Sequence, residues 1–200
     1  SFPQPADLDA AALGWERLCD AETTGDAAPY FAALATDATV RIALDAVFGN
    51  SPFLSHCAIT EPDHLRLVLE KGPDSALDAA LQSLDEALRE DAAEADVARA
   101  LRVAKRRIAL GVALADIWSI WDLERVTATL SDFAARAIAH AARFALREGA
   151  AAGSGQLAIR RLQQLVSQSA EPGAQLWQPG LGVASGETQH WRASQEGVGG

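Results

Sequence analysis

The side chains best suited to chemistry in this sequence are five cations crowded together: Arg99, Arg102, Lys105, Arg106 and Arg107. Arg99, Arg102 and Arg106 stand three and four positions apart, so on a helix they share one face. Guanidinium groups match phosphate and carboxylate oxygens two at a time, and such a stripe could meet phosphates or an acidic protein surface. The plainer alternative is a solvated face paired with Glu94, Asp96 or residues of the preceding helix. Asp7-Leu8-Asp9 has the spacing of a metal-binding carboxylate pair, but it precedes a helix and has no glycine-rich neighbour, as the solvated start of a helix would. Gly180-Leu181-Gly182-Val183-Ala184-Ser185-Gly186 has the glycines of a phosphate-binding turn without a lysine or a preceding apolar strand, and reads as a flexible segment. His56, His64, His140 and His190 are scattered, with His140 read as structural or at the surface. Neither His140 nor Cys57 has an acid partner at motif spacing, which leaves a His/Cys nucleophile system unsupported. Asp116, Glu124 and Asp132 read as caps, ion pairs or solvated groups.

Helices must hold these residues, because the apolar positions repeat with helical spacing. A first helix is expected from near Asp9 to Asp20, packing through Leu13, Trp15, Leu18 and Cys19. Asp26 is placed to cap a short helix with Tyr30, Phe31 and Leu34, and Asp37 to start a third with Val40, Leu44, Val47 and Phe48. Gly49 and Asn50 are expected to end that helix in the left-handed conformation, with Ser51 capping the next and Pro52 in its first turn. Thr60 and Asp63 resemble a capping pair around Pro62, and Gly72-Pro73 should end the helix that follows. Leu77, Leu81, Leu84 and Leu88 then mark an amphipathic helix to about Asp91.

Two long helices dominate the middle. The first runs from about Ala95 to Trp118, with Val97, Leu101, Ala104, Ile108, Val112 and Ala115 on one face. Ser119 or Asp122 restarts the chain, and the second carries Leu123, Val126, Leu130, Phe133, Ala137, Ala141 and Phe144 before Gly149. A connection of about two to four residues makes the pair antiparallel, with small residues allowing close approach and Trp118 and Trp121 anchoring the turn. Residues 149–155 read as a linker, and Gln156 to Gln168 as one more helix. Periodicity is lost from Ser169 onward, so residues 1–168 are expected to form a helical module and residues 169–200 an irregular, poorly ordered tail. The fold class is therefore all-α: an irregular helical bundle with two long antiparallel helices.

A formal charge of −10 argues against non-specific nucleic-acid binding, which needs a basic surface. Two cysteines are too few for a disulfide-built fold and read as reduced core residues. No apolar run approaches membrane-spanning length and no signal-like opening occurs, so a cytoplasmic setting without membrane or nucleic-acid partners is expected.

Three blocks carry a family resemblance. The first is Val47-Phe48-Gly49-Asn50-Ser51-Pro52-Phe53-Leu54, followed by the acidic step Glu61-Pro62. The second is Leu101-Arg102-Val103-Ala104-Lys105-Arg106-Arg107-Ile108-Ala109-Leu110 with Ala113-Leu114-Ala115-Asp116-Ile117-Trp118. The third is Trp121-Asp122-Leu123-Glu124-Arg125-Val126-Thr127 with Leu130-Ser131-Asp132-Phe133-Ala134. In this order they resemble the glutamate–ammonia-ligase adenylyltransferase family from about Ala32 to Gly149, and the likeness is gone beyond Gly155. The resemblance implies the N-terminal helical region of a bifunctional enzyme. That enzyme attaches AMP from ATP to a glutamine-synthetase tyrosine and removes it by phosphorolysis.

Magnesium and ATP or ADP are implied for the intact enzyme, held by a nucleotidyltransferase α/β domain with a glycine-rich entry and a Ser-Asp-x-Asp-type strand. No such run lies between Gly155 and Gly200. The resemblance therefore places no catalytic, metal or cofactor residue on this chain, and it is expected to be non-catalytic alone. It suggests a truncated or altered product, or a divergence that removed catalysis. The implied partners are an adjacent nucleotidyltransferase domain, glutamine synthetase and the nitrogen-signalling PII proteins. The competing reading is a stand-alone helical interaction module whose partner meets the face from Arg99 to Arg107.

Overall fold

Helix periodicity, capping residues and proline placement combine into eight helices among the described residues. The computed structural model describes residues 3–22, 30–88, 93–151, 153 and 155–169. The helices are α1 (Leu8–Glu22), α2 (Tyr30–Leu34), α3 (Ala38–Asn50), α4 (Pro52–Thr60), α5 (Pro62–Ala87), α6 (Glu94–Ile117), α7 (Leu123–Ala151) and α8 (Gly155–Ser169). No strand occurs among the described residues, in line with the all-α expectation. The chain separates into two units, Ser1–Ala170 and Glu171–Gly200. The second unit, where an irregular tail is expected, lies outside the described residues, as does Asp26.

The caps explain most boundaries. Asp37 accepts the amides of Thr39 (2.8 Å) and Val40 (3.2 Å) and so starts α3. Ser51 starts α4 by accepting the Leu54 amide at 3.2 Å, with Pro52 in the first turn. Asp7 caps α1 through the Ala10 amide at 2.8 Å, which accounts for half of the Asp-x-Asp pair. At the end of α6, Ser119 is left-handed (φ 54°), Ile120 N–H reaches Ala115 O at 2.8 Å and Ser119 N–H reaches Asp116 O at 2.9 Å. This is a Schellman closure with serine where glycine usually sits. Asp122 then caps α7 through the Arg125 amide at 2.8 Å.

Several local expectations are corrected. Gly49 and Asn50 remain helical, because neither has a positive φ and α3 runs through both. Gly49 is needed for space: a Cβ there would lie 2.5 Å from Pro5 Cβ and 2.7 Å from Asp7 O. The N-terminal lead docks against this corner, with Asp7 N–H on Gly49 O (3.2 Å) and Ala6 N–H on Asn50 Oδ1 (2.9 Å). Asn50 Nδ2 also donates to Gln4 O at 2.9 Å. Thr60 and Asp63 do not cap α5; its N-cap is Glu61, whose side chain makes no capping bond. A positive φ does appear at Gly72 (φ 84°, ψ 166°), where α5 kinks and Pro73 begins its second half. The expected linker at 149–155 is largely helical, since α7 continues to Ala151 and α8 begins at Gly155.

Three apolar clusters fill the bundle. One joins Trp15, Leu18, Phe31, Leu44, Val47 and Phe48 of α1–α3 to Leu65 and Val68 of α5 and Leu110 and Leu114 of α6. A second sets Val97, Leu101 and Ala104 against Ala141 and Phe144. The third gathers Ile108, Val112, Ala115 and Trp121, with Val126 and Phe133 against them. The start of α6 thus meets the end of α7, and the end of α6 meets the start of α7, so the long helices are antiparallel. All six residues expected on the α6 face are buried. Each large aliphatic side chain taken fully out of water contributes about 1.5–3 kcal/mol.

The α7 stripe holds less well: Leu123 is 74% and Leu130 43% exposed. Five residues, 118–122, connect α6 and α7. Trp121 and Val126 pack beside that turn together with the small residue Ala115, which is fully buried. The main neighbour of α6 is α5, and that of α7 is α8.

Candidate functional site

Glu61 occupies the single-residue junction between α4 and α5. Its amide bonds Cys57 O at 3.0 Å, closing α4, and its carbonyl accepts Leu65 N–H at 3.0 Å, opening α5. Backbone bonds on both sides therefore point its side chain inward, toward α6. There one oxygen accepts Arg106 Nε (2.9 Å) and Nη2 (2.6 Å), and the other accepts Arg107 Nε (2.8 Å). Glu61 is only 7% exposed. A carboxylate this buried is tolerated because its lone pairs are met by charged donors.

One turn further along α5, His64 is 6% exposed, and its Nε2 sits 3.0 Å from the carbonyl of Arg107. A carbonyl can only accept, so Nε2 carries the proton. Burial, and then the positive charge of Arg107, lowers the His64 pKa to about 4 against the opposing influence of Glu61. The imidazole is neutral at pH 7 and acts as a fixed donor between α5 and α6. Its neighbour on α6 is Gly111, whose added Cβ would lie 4.0 Å from His64 Nε2.

The five cations singled out from sequence divide into different settings. Arg106 and Arg107 form the buried cluster with Glu61, 45 and 46 positions away, rather than pairing with Glu94 or Asp96. Lys105 lies with its Nζ 5.5 Å from the Phe53 ring centre. Arg102 is half-buried and Arg99 exposed. Glu94 instead meets Arg161 of α8.

Arg107 and Arg99 both line a cleft of about 640 Å³ between the second half of α5 and the first half of α6. Ser83 stands beside Arg107 at 3.5 Å from its Nη1, and Ala80, Leu84, Ala100, Val103 and Ala104 supply apolar walls. Asp96 lies at the outer end. The cleft can hold an anionic group against a cation that is already oriented.

Other candidates have structural settings. Trp121 is buried, with Arg125 over its ring at 4.7 Å and that arginine also paired to Asp74. Trp118 packs half-buried on the first cluster, and its indole N–H has no acceptor among the described residues. His140 Nε2 lies 3.7 Å from Asp85, but burial and then Arg143 lower its pKa, so the contact is not an ion pair at neutral pH. Cys57 is fully buried and Cys19 half-buried, and neither is joined in a disulfide. His190 and residues 180–186 lie outside the described residues. Among the described residues, no three His, Cys, Asp or Glu side chains converge as a metal ligand set, and no helix is long and apolar enough to cross a membrane.

Sequence reasoning singled out Arg106 and Arg107 but missed Glu61 and His64 as their partners. The available signal was that both polar residues fall on the inward side of a helix start whose next inward residues are Leu65 and Val68.

Residues 42–166 match the family model described as glutamate-ammonia ligase adenylyltransferase. Among similar curated proteins is a bifunctional glutamine synthetase adenylyltransferase/adenylyl-removing enzyme of Rhodopseudomonas palustris (strain HaA2). It is 34% identical over 127 residues, covering 64% of this chain and 13% of that protein. A protein of the same description from Xanthobacter autotrophicus is 40% identical over 104 residues, 52% of this chain and 10% of its own length. One from Rhizobium meliloti is 35% identical over 113 residues, 54% of this chain and 12% of that protein. The chain thus spans only about a tenth to an eighth of these relatives' length. No solved structure matches.

Proposed function

This chain belongs to the glutamate-ammonia ligase adenylyltransferase family, and on that premise we propose that it is a helical frame which buttresses a nucleotidyltransferase domain. In the intact enzyme that neighbouring domain would carry the magnesium-dependent transfer of AMP from ATP to a glutamine-synthetase tyrosine, and its phosphorolytic removal. The frame itself performs no chemistry, and its contribution is mechanical.

The observation that supports this reading is where the matched stretch falls. Residues 42–166 run from α3 to α8, and within them the buried Glu61, with the largely buried Arg106 and the partly exposed Arg107, is engaged in locking three helices together. A frame needs fixed relations between elements, and side chains held by several charge-assisted bonds provide them. The cationic face of Arg99, Arg102 and Lys105 would meet a partner's acidic or phosphate-bearing surface.

The purified chain can be added to adenylylated glutamine synthetase with phosphate and magnesium, and ADP release followed. No release above background is expected, and robust release would refute the non-catalytic role. Titrations against glutamine synthetase and against a PII protein then separate the possible contacts of the cationic face. Loss of any binding in Arg99→Glu/Arg102→Glu would place the contact there.

A further inference from the structure

We propose that the α5–α6 cleft binds an elongated dianion, a small molecule with an oxyanion at each end and an apolar chain between. This goes beyond the framing role and does not depend on it. The cleft holds about 640 Å³, within the range of small-molecule sites and far more than a simple inorganic anion fills.

The inner end is built by Arg107. Its Nε is tied to Glu61 at 2.8 Å, so the guanidinium is fixed from behind. In front, its nearest acceptor is Ser83 Oγ at 3.5 Å, a weak contact. Arg107 therefore presents N–H donors to the cleft in an orientation that ligand binding need not freeze, which lowers the entropic cost of holding an anion.

The outer end is Arg99, which lines the same cleft and has no ion pair or hydrogen bond among the described residues. The two arginines are eight residues apart on α6, or about 12 Å along the helix axis. With Arg107 held at its own level by Glu61, one compact anion cannot satisfy both. Between them the α6 wall is Ala100, Val103 and Ala104, faced by Ala80 and Leu84 of α5, so the middle of the cleft is apolar. Cation, apolar floor and cation in a line select a ligand with the reverse pattern. Asp96 beyond Arg99 marks the limit of the anionic end, since a longer chain would bring its terminal charge toward that carboxylate.

The test is calorimetric titration of the full chain at low ionic strength with linear α,ω-dicarboxylates from succinate to sebacate, alongside the matching monocarboxylates. Allowing for hydrogen-bond reach at each end, affinity should peak at roughly six to ten carbons, with monoacids weaker by about tenfold or more. The corresponding α,ω-bisphosphates distinguish phosphate from carboxylate heads. Arg99→Ala, an exposed change with no partner to orphan, should weaken the best diacid by about tenfold and leave the monoacid unchanged, with Arg99→Lys recovering part of the loss. The proposal is overturned if neither ligand series binds, if affinity is indifferent to chain length, or if Arg99→Ala binds the diacid as wild type does.

Discussion

Replacing His64 by glutamine should remove about 2 kcal/mol of the stability that this protein loses between pH 7 and pH 5. In the folded chain His64 has its pKa lowered from 6.5 to about 4, first by burial and then by Arg107. The unfolded chain returns it to its ordinary value. Between those two values the unfolded state holds a proton that the folded state does not, so acidification favours unfolding. The contribution is fully present above the unfolded pKa and is lost as pH falls toward the folded one. A gap of about 2.5 pH units corresponds to ~3.4 kcal/mol in total, of which roughly 2 falls between pH 7 and pH 5. Glutamine keeps an amide N–H for the Arg107 carbonyl, which His64 Nε2 now meets at 3.0 Å, and carries no titrating proton.

Urea unfolding of wild type and His64→Gln, followed by tryptophan fluorescence at both pH values, measures the difference. Carboxylates elsewhere contribute the same slope to both proteins and cancel. Parallel pH profiles would refute the reasoning, as would an imidazole NMR titration of folded protein with its midpoint near 6.5.

Glu61→Ala should cost about 3 kcal/mol, because it leaves two arginines partly buried without their shared carboxylate, and chemical denaturation would register the loss directly. Gly111→Ala should stabilise by about 0.5–1 kcal/mol: the position is mid-helix, and the new methyl would meet Val68 Cγ2 at an ordinary 3.9 Å. Gly14→Ala should instead destabilise by about 1–3 kcal/mol, since its Cβ would fall 2.3 Å from Phe48 Cγ; melting temperatures of the two variants should move in opposite directions. Ser119→Gly should add about 1 kcal/mol by relieving a left-handed serine, read as a rise in the urea midpoint at unchanged slope.

Those glycines show what a sequence can and cannot convey. Gly49 invites a left-handed helix stop, yet its role is to let Pro5 and Asp7 approach, which depends on a lead more than forty residues earlier in the chain. Gly72 instead takes a positive φ with an extended ψ of 166°, where the following proline enforces a break in the same place. The α6 face was legible residue by residue, since helical period and burial coincide along one element. The α7 stripe was only partly so. Its first half projects Leu123 and Leu130 outward, and amphipathicity states which face is apolar without saying how much of it is covered. At the site, the arginine cluster was visible as a run of charge. Its acceptor was not, because Glu61 reaches Arg106 and Arg107 only after α5 has folded back along α6.

The geometry of that acceptor sets the orientation of α6. Arg106 and Arg107 point about 100° apart around the helix. They can share one carboxylate only if it lies between their directions, and Glu61 meets that condition by giving each a different oxygen. His64 adds a second constraint by bonding the backbone of Arg107, so a rotation of α6 by one residue would break both connections. Glu61 cannot readily follow such a rotation, since its own backbone is bonded at the end of α4 and the start of α5. Buried ion pairs contribute little net stability compared with apolar packing of equal volume. What this one supplies is angular definition, which apolar contacts between alanine-rich helices specify poorly. The same fixed angle turns Arg99, two turns upstream, toward the α5–α6 cleft, so the charge buried at the junction of three helices determines where the exposed charge is presented.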